Sequence, residues 1–166
     1  MSVIDETLKA NERYAAGFAL AGLPMPPGRH LAVVACMDAR LTVEEMLGLK
    51  TGDAHVIRNA GAYVTDDVLR SLVISQRLLG TREVAIISHT DCGMLTFKGD
   101  ELRDRLEKET GASPVTPVAF HEFSDLDGNV REGIRRVRSY PWTPSSILVR
   151  GFVYDVKSGK LREVTA

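Results

Sequence analysis

Apolar residues fall along this chain in two rhythms: short continuous runs, and longer stretches that repeat near every third or fourth position. Leu31-Ala32-Val33-Val34-Ala35-Cys36, His55-Val56-Ile57-Arg58-Asn59 and Glu83-Val84-Ala85-Ile86-Ile87-Ser88 are runs of the first kind. Their length and their lack of polar alternation predict strands buried on both faces, as in a parallel sheet. Ile147 to Val156 predicts a fourth strand, and Lys157-Ser158-Gly159-Lys160 a hairpin turn that returns through Leu161-Arg162-Glu163-Val164. The second rhythm predicts helices between these strands. Ile4, Leu8, Ala15 and Phe18 mark an amphipathic helix, broken by the connector Leu23-Pro24-Met25-Pro26-Pro27-Gly28. Thr42-Val43-Glu44-Glu45 has the form of a capping box that opens a short helix. Thr65-Asp66-Asp67 begins a helix running to Leu79, with Gly80 as its stop; its apolar residues cover more than one stripe, which predicts burial on several sides. Asp100 to Lys108 is a charged helix ended at Gly111-Ala112-Ser113-Pro114. Val130, Ile134 and Val137 mark a further amphipathic helix, with arginines opposite and a stop at Pro141. Strands alternating with helices and ending in a hairpin predict an α/β fold: a central, mainly parallel β-sheet with flanking helices and an antiparallel C-terminal edge hairpin.

Length and composition narrow this picture. At 166 residues, the chain is expected to be one domain, residues 1–166, with residues 1–28 as an N-terminal helix and connector that could pack on their own domain or on a partner subunit. Twenty-one basic against 22 acidic residues give a net charge of -1. That balance argues against a nucleic-acid partner bound through a basic field and against a polybasic membrane anchor. No apolar run approaches the roughly 18 residues needed to cross a bilayer. The first residues are charged and lack the apolar core of a secretion signal, so the expected location is cytoplasmic, where thiols stay reduced.

The two cysteines carry the chemistry. Cys36 closes the first strand and opens Cys36-Met37-Asp38-Ala39-Arg40, while the third strand runs into His89-Thr90-Asp91-Cys92-Gly93. Open parallel sheets gather ligands beyond the carboxyl ends of their strands, so Cys36 can meet His89 and Cys92 there. Two cysteines in a reduced domain are ordinarily small core residues. Their joint position at strand ends, one beside a histidine and the other beside an acid and a base, points instead to a metal. Two thiolates and one imidazole suit zinc, with contacts near ~2.3 Å and ~2.0 Å, and three protein ligands leave a fourth position for water. Asp38 would accept a hydrogen bond from that water, and Arg40 would keep Asp38 ionised and off the metal. If that pair breaks, Asp38 can swing in as a fourth ligand and close the site.

These two motifs, together with Gly52-Asp53-Ala54-His55-Val56-Ile57-Arg58-Asn59-Ala60-Gly61 and Val149-Arg150-Gly151-Phe152-Val153-Tyr154-Asp155, resemble the beta-class carbonic anhydrases, most closely their shorter bacterial branch. The likeness runs from about Leu31 to the end of the chain. It implies one zinc per subunit on Cys36, His89 and Cys92, with Asp38 and Arg40 as catalytic dyad. It also implies assembly as a homodimer or homotetramer. The reaction would be reversible hydration of carbon dioxide to bicarbonate and a proton, with zinc-bound hydroxide as nucleophile. Two departures stand out. Met94 replaces a second glycine found in many members, and the pocket glutamine of many members is missing, because the only glutamine, Gln76, lies on a buried-looking helix. Substrate contacts are therefore expected from the backbone near Ala60, Gly61 and Gly93.

Two other functions fit the same residues. Zinc hydroxide also attacks carbonyl sulfide and carbon disulfide, and a permanently closed four-ligand site would make a non-catalytic zinc protein. Gly-x-Gly-x-x-Gly, a phosphate-binding loop and Gly-x-Ser-x-Gly are all missing from the sequence, which argues against nucleotide and serine-hydrolase chemistry. His30, His55 and His121 read as ordinary strand or surface histidines. Phe120, His121 and Phe123 suit packing, a lid or a dimer contact, and Arg131, Arg135, Arg136 and Arg138 a solvated helix face.

Overall fold

Each apolar run forms a strand. The computed structural model describes residues 2–114 and 119–166. Strands β1 (Leu31–Cys36), β2 (Ala54–Asn59), β3 (Glu83–His89) and β4 (Leu148–Tyr154) pair in parallel in the order β2-β1-β3-β4. The hairpin strand β5 (Leu161–Val164) adds antiparallel to β4. The direction of winding reverses after β2, so β1 and β3 flank a topological switch point, where an open α/β sheet leaves a crevice beyond its strand ends. Register fixes what meets there. Ala35 pairs with Ile87, which carries Cys36 level with the Ser88–His89 end of β3, and His89 pairs with Tyr154.

Helices α1 (Val3–Ala16), α2 (Val43–Met46), α3 (Asp66–Arg77), α4 (Gly99–Thr110) and α5 (Leu126–Ser139) join the strands. On one sheet face, Val34 and Ile86 meet Leu72 of α3 and Val130, Ile134 and Val137 of α5. On the other, Val33, Ala35 and Ile87 pack with Val43. Each side chain of this size, taken fully out of water, contributes roughly 1.5–3 kcal/mol. Thr65 Oγ1 accepts from the Val68 amide to cap α3, and the Asp125 side chain accepts from the Gly128 amide to cap α5.

Two expectations change. The helix expected to reach Leu79 ends at Arg77, and its burial is one-sided: Val68, Leu69, Leu72, Ser75 and Gln76 are buried, whereas Ile74 and Leu78 are exposed. The expected box at Thr42 does not form, because Thr42 lies at φ -93°, ψ 83°, makes no capping bond, and precedes only one helical turn. The N-terminal helix α1 forms, with a capping box between Ser2 and Asp5, but buries no residue. Among the described residues no helix is long and apolar enough to cross a membrane.

Val130 and Ile134 of α5 pack directly over Gly151 of β4. A Cβ added there would stand 2.8 Å from Ile134 Cδ1 and still closer to Val130. Gly151→Ala should therefore force α5 outward and destabilise the fold by about 1–3 kcal/mol. Thermal unfolding would register this as a lower midpoint; an unchanged midpoint would show that α5 does not need this close seat.

Candidate metal centre

Cys36, His89 and Cys92 converge at the switch point. Their two Sγ atoms and the imidazole nitrogen lie within 4.8 Å of one another, and all three residues are buried. Both cysteines are free thiols. Strand ends deliver Cys36 and His89, and a turn beginning at Thr90 returns the chain to Cys92. That turn is anchored on β4: the Thr90 amide donates to the Tyr154 carbonyl at 2.9 Å, and Thr90 Oγ1 accepts from the Val156 amide at 3.1 Å. Asp91 completes it in the left-handed region at φ 56°, a conformation that Asp tolerates better than most residues.

The donor set fits a metal. His89 Nδ1 lies 2.9 Å from the Thr90 carbonyl, which only accepts, so this nitrogen carries the proton and Nε2 presents a lone pair. Nε2 is buried and has no hydrogen-bond partner, a cost that a bound cation removes. Without metal, the thiols divide one charge between them. The Cys92 thiol, then His89 and the amides of Asp38 and Gly61, hold Cys36 well below the usual thiol range against its own burial. Cys92 is pushed up, first by its bond to Cys36 and then by burial. Two sulfurs and a nitrogen at these separations suit tetrahedral zinc.

Asp38 stands at the rim of this group. Its Oδ2 is 3.7 Å from His89 Nε2, yet its hydrogen bonds go elsewhere. The Arg40 amide and Nε both donate to Oδ1 at 2.9 Å, and Nη2 donates to Oδ2 at 2.8 Å. These side-chain and backbone donors hold the Asp38 carboxyl far below the ordinary carboxylate range, so it is ionised throughout the physiological range. Arg40 is itself fixed from its other edge: Nη1 donates to Asp91 Oδ2 at 2.8 Å and Nη2 to the Asp91 carbonyl at 3.0 Å. Arg58 of β2 donates to the carbonyls of Cys36 at 3.0 Å and Asp38 at 2.7 Å, bracing the loop from behind.

The remaining expected residues divide. Gly61 lies beside the metal group, but its amide donates to Cys36 Sγ at 3.3 Å, so that N–H serves the sulfur. Ala60 is half-buried in the apolar cluster that contains both cysteines, Leu41, Ala62 and Met94. Gly93 opens a 3-10 turn, and its carbonyl accepts from Thr96 Oγ1. Met94 is buried and fills the space over Gly61 together with Phe123. Gln76 is buried on α3, with neither amide atom hydrogen-bonded. His30 contacts the Gly80 carbonyl, His55 contacts Ser75, and His121 stacks on Tyr63.

Sequence reasoning missed Arg58, the Asp91 hold on Arg40, and Asn129. The available signals were a lone arginine in an apolar strand, an acid between two ligands, and a polar residue on the buried stripe of α5.

Known proteins resemble this chain in sequence and in fold. A family profile described as Carbonic anhydrase matches residues 31–161. Beta-carbonic anhydrase 1 of Mycobacterium tuberculosis is 53% identical over 165 residues, 99% of each chain. The crystal structure of a carbonic anhydrase from Streptococcus mutans matches with a TM-score of 0.93 at 44% identity, again over 99% of each chain. Carbon disulfide hydrolase of Saccharolobus solfataricus is 36% identical over 182 residues, covering 96% of this chain and 88% of that one. The chain belongs to the carbonic anhydrase family, in its beta class, and zinc is the metal that class uses.

Proposed function

We propose that this protein catalyses the reversible hydration of carbon dioxide to bicarbonate and a proton, with one zinc ion per subunit held by Cys36, His89 and Cys92. The observation that carries this reading is the stance of Asp38: its carboxylate is 3.7 Å from the imidazole nitrogen of the metal group, and Arg40 holds it aside. When bound, zinc supplies the Lewis acidity that makes water a nucleophile near neutral pH. Asp38 accepts a hydrogen bond from the attacking water and sets the direction of its lone pair. Arg40 keeps that carboxylate from becoming a ligand itself. Ala60, Ala62, Met94 and Phe123 form an apolar wall that suits a small uncharged substrate, with the backbone at Ala60, Gly61 and Gly93 lining the approach. The reduced thiols this needs are those of a cytoplasmic protein.

The whole chain, residues 1–166, acts as one domain, and residues 1–28 are the arm that pairs it with a second copy. Ile4, Leu8 and Phe18 of this arm expose 71%, 60% and 49% of their surface, more apolar area than a lone helix leaves in water. A groove of about 290 Å³, lined by Leu31, Leu47, Leu49, Leu148 and Phe152 together with the charged Arg29, Glu83 and Arg150, offers a seat for such an arm. This supports a homodimer, or a homotetramer built from such pairs.

Carbon disulfide hydrolysis is the second reading, favoured by the relative of that name at 36% identity. Stopped-flow hydration of carbon dioxide by zinc-loaded protein, run beside sulfide release from carbon disulfide and carbonyl sulfide, separates the two. Rapid hydration is the expected result; rapid sulfide release with negligible hydration reverses the assignment.

Two substitutions should part metal from chemistry. Cys92→Ala should abolish stoichiometric zinc by elemental analysis, whereas Asp38→Ala should keep the metal and lose about a hundred-fold in kcat. A fully active Asp38→Ala would remove Asp38 from the mechanism. For the assembly, Leu8→Glu should shift sedimentation toward a single chain, and an unchanged oligomer would place the interface elsewhere.

A further inference from the structure

Helix α5 reaches into the metal centre through one side chain. Asn129 lies on the buried stripe of α5 beside Val130 and Gly133 and exposes 8% of its surface. A polar amide in such a stripe is unfavourable unless it is bonded, and Asn129 is bonded twice. Nδ2 donates to the Gly61 carbonyl at 3.0 Å and lies 3.2 Å from Ser88 Oγ. Both partners touch the ligand set. Ser88 immediately precedes His89, and the Gly61 amide donates to Cys36 Sγ at 3.3 Å. Gly61 itself sits at φ 78°, and a Cβ there would stand 2.8 Å from Phe123 Cε1 and 3.0 Å from Met94 Cγ. The turn thus needs a left-handed glycine, and it is gripped by a helix residue 68 positions away.

We propose that Asn129 is a positioning residue for the metal centre: by fixing the Gly61 turn against β3, it aims the Gly61 N–H at Cys36 Sγ and so sets how much electron density that thiolate gives the metal. A hydrogen bond to a ligating sulfur draws charge from it, and partners of this kind tune both affinity and electronic structure. The inference rests on the reading of Cys36, His89 and Cys92 as the zinc ligands. It assigns α5, which supplies no ligand, a part in the site's chemistry.

The test uses the full chain loaded with zinc, or with cobalt(II) in its place. Asn129→Asp keeps the shape but loses both N–H donors, and Asn129→Ala removes the amide altogether. Both variants should bind one metal per chain, release zinc to a chelator about ten-fold faster than wild type, and move the sulfur-to-cobalt charge-transfer band to longer wavelength. A purely structural residue would lower the melting midpoint of the metal-free protein while leaving band and release rate unmoved, and that result overturns the proposal. If neither variant folds, wild type loaded with 113Cd decides. A scalar coupling from the Gly61 amide proton to cadmium through Cys36 Sγ supports it, and its absence overturns it. Wild type that takes up neither zinc nor cobalt would sink the metal reading, whereas wild-type binding with unaltered variants sinks the role of Asn129 alone.

Discussion

The parallel pairing of β1 with β3 is the constraint from which the site follows. Cys36 and His89 are 53 positions apart in the chain, and their nearness comes from the register that sets Ala35 against Ile87. Side chains alternate along a strand, so a slip of one residue would send every apolar residue of β3 to the wrong face and turn His89 away from Cys36. The core therefore enforces the metal geometry: Val84 and Ile86 must meet α5 while Ala85 and Ile87 face the opposite layer. Pairing with β4 removes the slack that remains, because Tyr154 and Val156 hold the Thr90 turn that returns the chain to Cys92.

On this frame the charges are arranged around one planar cation. Two thiolates largely cancel the charge of a divalent metal, so its hold on water must be helped by neighbours. Arg40 serves two acids at once, with the Nε–Nη2 edge on Asp38 and the Nη1–Nη2 edge on Asp91. Lysine, a point charge on a flexible stem, has no second edge and would leave one acid unheld. Asp91 lies between His89 and Cys92. The loop that carries His89 and Cys92 thus also fixes the residue that restrains Asp38, and the metal group and the Asp38–Arg40 pair are one mechanical unit.

Much of this was legible in the chain itself. The four parallel strands were plain because continuous apolar runs have few other uses in a reduced domain, and the metal group was plain because strand ends and ligand types coincided. What misled was apolar surface outside the chain's own core. Leu78 and Ile74 extended the apparent stripe of α3, although the helix buries one face and stops at Arg77. The bond from the Gly61 amide to Cys36 Sγ is a contact no local pattern encodes. Asn129 and Arg58 escaped for the same reason. A polar residue in an amphipathic helix or strand looks solvated until the tertiary structure shows which backbone group it meets.

The same separation of roles bears on which substrate the site selects. In the reaction proposed above, the metal group and Asp38 act on the nucleophile, and carbon dioxide, carbonyl sulfide and carbon disulfide all offer the attacked carbon in a linear, uncharged molecule. Discrimination must then come from the space left for the outer atoms, which are larger when they are sulfur. Beside the metal group, Met94 and Phe123 crowd Gly61 so tightly that not even a methyl group fits on it. Packing of this density yields little, since moving Met94 would disturb the cluster that also seats Cys36 and Cys92. Where packing of this kind bounds the approach to the metal group, it favours the smallest of the three molecules.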